Sequence, residues 1–471
     1  SNYNPLNPGA LVSILTTGLQ TTRLARQALK RIDLTDIVRE EADFLLNIKE
    51  DDFRRPLIQA GQVVVDPLIE QEVLSPGESA SITVRTFLPP NSPFKILSTI
   101  VEAPQDWGVI LSNKPITETS DSPFGRFFTE IPSHANQYTV TVPTDASPTQ
   151  PYFLELPRNG DRYQLADQTK SGIPFSPPIL KSIVTFEVGG IQVKVSKPVQ
   201  YRFADSVRGE LRRLPMVVPS VVVGLDSKLL IVPLEGSPNG QEMTIRVRSF
   251  TKQPVSGTLN LKLPKDWEAT PVNKKFYLQS KGEQTSVTFL VRAPASKISG
   301  SFSITAEAKI EQSTYRHDLQ VIEYPHIQTH RIYWPAKATA KVINLAVAQV
   351  KVGYIMGSGD QIPEALSRMG VSVSMLDEDF LTSGDLSTFD TIVVGVRASE
   401  ARPDFVENHK RLMDYVNNGG NLIVQYQQTN YVSENLPPFP AKMRSRVTDE
   451  TAPVQILVPD HQVFTFPNHI T

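Results

Sequence analysis

Cysteine is absent from all 471 residues. That excludes disulfides, thiolate metal sites and a cysteine nucleophile, and it leaves the redox compartment open. Long apolar runs are missing too. None approaches the ~18 residues that a spanning helix needs, so no transmembrane segment is expected. Charge of one sign is not in excess. With a formal net charge of −2, the chain has no electrostatic footprint for nucleic acid. Glycine (25) is outnumbered by proline (38). Prolines spread among short β-rich runs suit β-sandwich domains with structured loops.

What is present is ordinary for a globular protein, with 40% hydrophobic and 20% charged residues. The length is too great for one core, so roughly three domains are expected. Ser1-Asn2 has the look of a cloning scar, which points to an upstream region.

From about Gly9 to Gln59 the pattern is helical. Leu11, Ile14, Leu15, Leu19 and Ala25 recur at mixed three and four spacing, and Ile32-Asp33-Leu34 breaks the run. Thr35 fits an N-cap, with Asp36, Glu40 and Glu41 near the positive end of a second helix. Phe44, Leu45, Ile48 and Phe53 form its expected buried stripe, and Arg54-Arg55-Pro56 its end. Such a pair must pack on something, either the next domain or an upstream one.

From about Val63 the period changes to two. Ser81 to Phe87 and Gln137 to Val142 alternate, and Gly189-Gly190 between two apolar runs signals a tight hairpin. This all-β domain ends near Ala204. A second copy follows. Leu74 to Phe87 aligns with Gly236 to Phe250, and Ala103 to Trp107 with Leu263 to Trp267. Gln137 to Val142 aligns loosely with Gln284 to Val291. The offset of about 160 residues means domain duplication, not a solenoid. Trp107 and Trp267 each follow a Pro-x-Asp turn. They are read as core or rim packing, with a sugar-stacking platform as the sharper alternative. In Tyr324 to Ala338, His326 and His330 stand at i, i+4, but the surrounding residues favour an extended stretch that separates them, and no carboxylate sits at ligand spacing.

Val350 to Gly370 opens a different architecture. An apolar run to Met356 leads through Gly357-Ser358-Gly359-Asp360 into a helix opening at Pro363. Ile362, Leu366 and Met369 are spaced to face a sheet. Val371 to Leu376, Thr391 to Val396 and Asn421 to Gln425 are further short apolar strands, and a helix from Phe405 to Val416 ends at Asn417-Asn418-Gly419-Gly420. This alternation predicts a parallel, doubly wound sheet. Asp377-Glu378-Asp379 reads as a solvated loop. After Gln428 the chain is loop-rich and reaches Thr471 with no evident closing helix or strand, so the last domain is expected to be either truncated or disordered at its end.

In such sheets ligands sit at the carboxyl ends of the strands. The candidate ligand pocket is therefore Gly357, Ser358, Gly359, Asp360, Arg397 and Gln425, with Gln427 nearby. The Gly-Ser-Gly-Asp turn fits an anion cradle or a plain capped turn. It has neither the third glycine of the dinucleotide fingerprint nor the lysine of a P-loop. Class I glutamine amidotransferases carry a cysteine at a sharp strand–helix turn. Here Val394 to Ser399 offers Arg397, and Ser399 has no Gly-x-Ser-x-Gly elbow. Arg446 to Glu450 is a polar patch suited to binding or to locking a loop.

Several stretches match a known pattern. GYIMGSGDQIPEALSRMGVSVSMLDEDFL, DTIVVGVRASEARPD, GGNLIVQYQQTNY, RVTDETAPVQIL and FPNHIT resemble the C-terminal region of large bacterial PIG-L (LmbE-like) deacetylases. EEADFLLNIKEDDFRRPLIQAGQVVVD is similar to the connector after their catalytic domain. The resemblance implies a zinc-dependent N-deacetylase acting on GlcNAc-type sugars in an upstream domain. Its hallmark Pro-His-Pro-Asp-Asp and His-x-x-His segments do not occur here. No catalytic residue, metal ligand or cofactor is therefore assigned to this chain.

The expectations are a helical connector (1–60), two Ig-like β-sandwiches (61–205 and 206–335) and an amidotransferase- or flavodoxin-like α/β domain (336–471). The expected partners are a glycan and the upstream deacetylase domain, and the expected location is exported. A small-ligand or hydrolytic site in the last domain and a carbohydrate-binding module are the alternatives.

Overall fold

Helices α1 (Val12–Leu29) and α2 (Asp36–Ala60) form the N-terminal hairpin of the computed structural model, which describes residues 4, 6–112, 133–234, 240–295, 298–442, 447–449, 451–466 and 469–470. Arg26 bridges Asp43 (2.9 Å) and Glu50 (2.9 Å), and Arg23 adds a second contact to Glu50 (2.7 Å). Gly18 is required at the crossing, because a Cβ there would meet the Phe53 ring at 2.3 Å. Of the expected stripe on α2 only Phe53 packs inward, on Gly18 and the first core. Phe44 is 63% exposed, and Leu45 and Ile48 are exposed too. The reason is tertiary. The helix runs through Pro56 to Ala60 and buries Leu57 and Ala60 against the first β core instead. Arg23 and Arg54 donate to the carbonyls of Gln192 and Lys194, which docks the hairpin on that unit.

The chain is β-rich, with many sheets and few helices, as a multidomain β-sandwich protein is built. Its first unit pairs a six-stranded sheet with a three-stranded one. Ser79–Phe87 alternates as its sequence requires, burying Ala80, Ile82, Val84 and Thr86. Val188 and Ile191 close a two-residue hairpin over Gly189 and Gly190, both at positive φ. Within the larger sheet, Val64–Ile69, Ser79–Phe87, His134–Thr141 and Gly108–Ser112 lie side by side, all antiparallel.

The second unit repeats that order. Val221–Leu225, Gln241–Ser249, Gln284–Arg292 and Glu268–Thr270 are neighbours with the same antiparallel pairing. The turns before the two tryptophans match as well. Trp107 N donates to Pro104 O (3.0 Å), and Trp267 N to Pro264 O (3.3 Å). Gly236 to Asn239 of the aligned stretch lie outside the described residues.

Two of the three expected boundaries move toward the C-terminus. Gly209–Arg213 folds back as an edge strand of the first sheet, because Asp205 caps the intervening turn through Val207 N (3.0 Å) and Arg208 N (2.8 Å). Lys337–Ile343 joins the second unit, burying Ala338, Ala340 and Val342 and pairing with Leu229–Pro233 and Gly300–Ile310. Between them, His317–Ile322 and His330–Pro335 form a separate antiparallel hairpin. His330 is thus on a strand, and four-residue spacing does not bring it to His326.

Four parallel strands follow, in the order Ser372–Met375, Lys351–Ile355, Thr391–Val394, Asn421–Val424. Ile355, Ile392 and Val394 pack on one face with Phe405, Leu412 and Tyr415. Val352, Tyr354 and Val393 pack on the other with Leu366. Ile362 does not join them; at the start of its helix (Ile362–Arg368) it stays exposed, while Pro363 is buried. The expected Phe405–Val416 helix is two, Pro403–Glu407 and His409–Asn417, broken at Asn408. Asp377 is no loop residue but the N-cap of Glu378–Ser383, accepting from Phe380 N at 2.9 Å.

Candidate functional site

The carboxyl ends of the parallel strands converge as the strand–turn–helix pattern requires. Gly357 and Gly395 let two turns touch. A Cβ on Gly357 would lie 2.0 Å from Val396 O, and one on Gly395 would lie 2.8 Å from Gly357 N. Ser358 closes the contact, its N donating to Val396 O at 2.8 Å and its Oγ at 3.2 Å.

Beneath this lies a chain of three side chains. Gln425 Nε2 donates to Tyr354 Oη (2.6 Å), and Tyr354 donates to Asp360 Oδ1 (2.7 Å). That same oxygen accepts from Ile362 N (3.0 Å), so Asp360 ties down the first turn of the helix. Tyr354 is fully buried. Burial, reinforced by the Asp360 carboxylate it bonds, pushes its phenol well above the ordinary tyrosine range. It is a fixed donor here, not a base. Asp360 Oδ2 is buried with no hydrogen-bond partner among the described residues.

Arg397 sits on the adjoining elbow in the left-handed region (φ 56, ψ 31), between Thr391–Val394 and the short helix Ala398–Ala401. A non-glycine residue held there stores strain. Its N donates to Tyr426 O (2.9 Å). Oriented oxygen-first, the Gln428 amide accepts from Arg397 Nη2 (2.7 Å) and Nε (3.2 Å). Gln427 is buried and locks the loop, donating to Gly395 O (2.9 Å) and accepting from Ser399 N (3.0 Å). Ser399 is held by Asn430, Oγ to Oδ1 at 3.0 Å.

The structure therefore brings Gly357, Ser358, Asp360 and Gln425 into one bonded assembly, with Gly359 exposed at the turn and Arg397 on the facing elbow. The N–H groups of Ser358 and Ile362 are consumed by Val396 O and Asp360. Tyr354 is the missed member; only its place in an apolar run could have marked it, and the run reads as plain core.

The two singled-out tryptophans are spent on packing. Trp267 is 9% exposed and lies against Phe302 (ring centroids 5.8 Å apart), so it offers no face to a sugar. Trp107 is half-buried on the first core. The third, Trp334, is 44% exposed. It lines a cleft of about 810 Å³ between the second β unit and the helix Ile362–Arg368. A cleft of about 880 Å³ runs between the first unit and the His317–Pro335 hairpin. No group of three or more His, Asp or Glu among the described residues is arranged to hold a metal. Of the Arg446–Glu450 patch, Arg446 and Glu450 lie outside the described residues.

No family model matches the sequence, and no curated protein matches it. Among solved structures, native alpha-2-macroglobulin of E. coli is similar over 59% of this chain and 17% of its own, at 12% identity and TM-score 0.18. A family 123 glycoside hydrolase from Clostridium perfringens is similar over 37% and 38%, at 7% identity and TM-score 0.17. The cupredoxin domain of amoB from Nitrosocaldus yellowstonii is similar over 27% and 88%, at 12% identity and TM-score 0.17. The chain thus spans about a sixth of the macroglobulin's length. Likenesses at such scores carry no argument about function.

Proposed function

We propose that this chain is the non-catalytic accessory region of a PIG-L-type sugar deacetylase. Its Ig-like sandwiches hold a glycan or position the enzyme. Its last sheet is a doubly wound, amidotransferase-like domain without a nucleophile, and the location is exported. The supporting observation is the elbow. Arg397 occupies the strained strand-to-helix position at which enzymes of this build present their nucleophile. A guanidinium stays protonated and has no lone pair with which to attack. Zinc, which the resemblance implies, does not fit this chain, because its histidines and carboxylates do not cluster among the described residues. It belongs to the upstream domain on this reading. Metal analysis and assays with N-acetylglucosamine oligomers test it. The expected result is no stoichiometric zinc and no acetate release; zinc at one equivalent with turnover overturns it.

One observation favours a second reading, a small-ligand site at the same turn. Asp360 Oδ2 is buried without a partner among the described residues, and the Tyr354–Gln425 pair stands beside it. The clefts described above lie elsewhere, which places this reading second.

A further inference from the structure

The cleft beside Trp334 has the chemistry of a ligand site that the strand-end turn does not have. Its volume of about 810 Å³ falls in the range of ligand pockets, ~300–1,000 Å³. Its one large aromatic surface is Trp334. Trp334 lies on a strand opposite Asp318, and its indole Nε1 donates to Gln320 Oε1 at 2.9 Å. Its N–H is already satisfied, so what it offers a ligand is its apolar face. Lys228 Nζ stands 5.9 Å from the ring centroid, at the outer edge of a cation–π contact.

Around the indole, apolar side chains such as Leu229 and Ile231 alternate with polar groups of mixed sign. Asp226 and Asp318 supply carboxylates, Gln361 an amide, and Arg246 a guanidinium 3.8 Å from Asp318. Carboxylates and cations in near balance disfavour a phosphate or a polycation. They suit a neutral ligand with many hydroxyls, each able to donate to a carboxylate and accept from a guanidinium. An apolar ring face among such groups matches a pyranose, which has an apolar face and a hydroxylated rim.

We propose that this cleft binds a saccharide, with one pyranose packed on Trp334 and its hydroxyls met by Asp226, Asp318 and Gln361. The proposal rests on the glycan-holding part of the reading above, and not on the identity of the partner enzyme.

The test is titration of the full chain with chitotetraose and with cellotetraose, followed by calorimetry and by tryptophan fluorescence. Saturable binding with a shift in emission is expected. Trp334→Ala should weaken it about tenfold or more, Trp334→Phe less, and Gln361→Ala should weaken it with the indole intact. Circular dichroism melting of each variant separates lost binding from lost folding. Binding that survives both Trp334→Ala and Gln361→Ala overturns this site while leaving a glycan-holding role elsewhere. Binding of neither sugar overturns the site and the glycan-holding role together, and leaves the non-catalytic assignment to its own assay.

Discussion

At the junction of the first two β units, Glu72 receives two guanidiniums, Arg213 at 3.0 Å and Arg331 at 2.6 Å. Beside them Val73 and Val218 pack with Val222, Phe250, Leu319 and Tyr333, and Ser75 Oγ donates to Phe250 O at 2.9 Å in a buried contact. A cleft runs there too, but its charged floor is already paired. At the junction of the second unit with the parallel sheet, Arg368 donates a hydrogen bond to Ser227 at the wall of the Trp334 cleft. Both junctions join folded units. The first buries its ion pairs beside an apolar cluster; the second leaves an indole, 44% exposed, along an open cleft. A binding function belongs at the second.

The comparison can be broken most forcefully at Glu72. Replacing it by alanine strands Arg331, whose side chain is 8% exposed, as an uncompensated buried cation. A loss of about 3–5 kcal/mol is expected, read by denaturant unfolding. A loss below about 1 kcal/mol would mean that the first junction is no latch. Next in size is Gly357→Ala. Its Cβ would lie 2.0 Å from Val396 O, so a cost of about 1–3 kcal/mol is expected. Because the second junction is weakly tied, calorimetry should show the loss only in the transition of the parallel-sheet unit.

A smaller effect comes from His409. Burial lowers its pKa, opposed by a backbone hydrogen bond, and its Nδ1 is buried without a partner among the described residues. The folded state therefore binds fewer protons than the unfolded one around the ordinary histidine pKa. Stability is fully present above about pH 6.5 and falls as pH drops below it. The parallel-sheet transition should carry this slope, and His409→Gln should flatten it there; His317, lowered in the same way by burial, gives the β-unit transition a slope of its own that His409→Gln leaves unchanged. The smallest effect expected is from Arg368→Ala, about 1 kcal/mol or less, since it removes one hydrogen bond at an open surface. A cost as large as that of Glu72→Ala would erase the difference between the junctions.

Sequence pattern carried far where one face of an element is buried and the contact is local. Ser79–Phe87, the Gly189-Gly190 hairpin and the short apolar parallel strands are of this kind. It failed where distant residues decide. Phe44, Leu45 and Ile48 have helical spacing, yet the face of α2 is set by Phe53 on Gly18 and by Leu57 on the first core. The Gly357–Asp360 turn was visible as a site, but not that Val396 O would take the Ser358 N–H. The Trp334 cleft was invisible for the same reason. Asp226, Asp318, Trp334 and Gln361 span more than a hundred positions, and Gln361 meets the others only when two units dock.

The central claim is that ligand is held at the open junction and not at the strand-end turn. Hydrogen–deuterium exchange of the full chain with and without chitotetraose tests it most directly. Added protection is predicted over 226–229, 318–320, 334–337 and 361–368, with no change over 395–399. Protection centred on the Arg397 elbow, with the Trp334 segments unchanged, would contradict it.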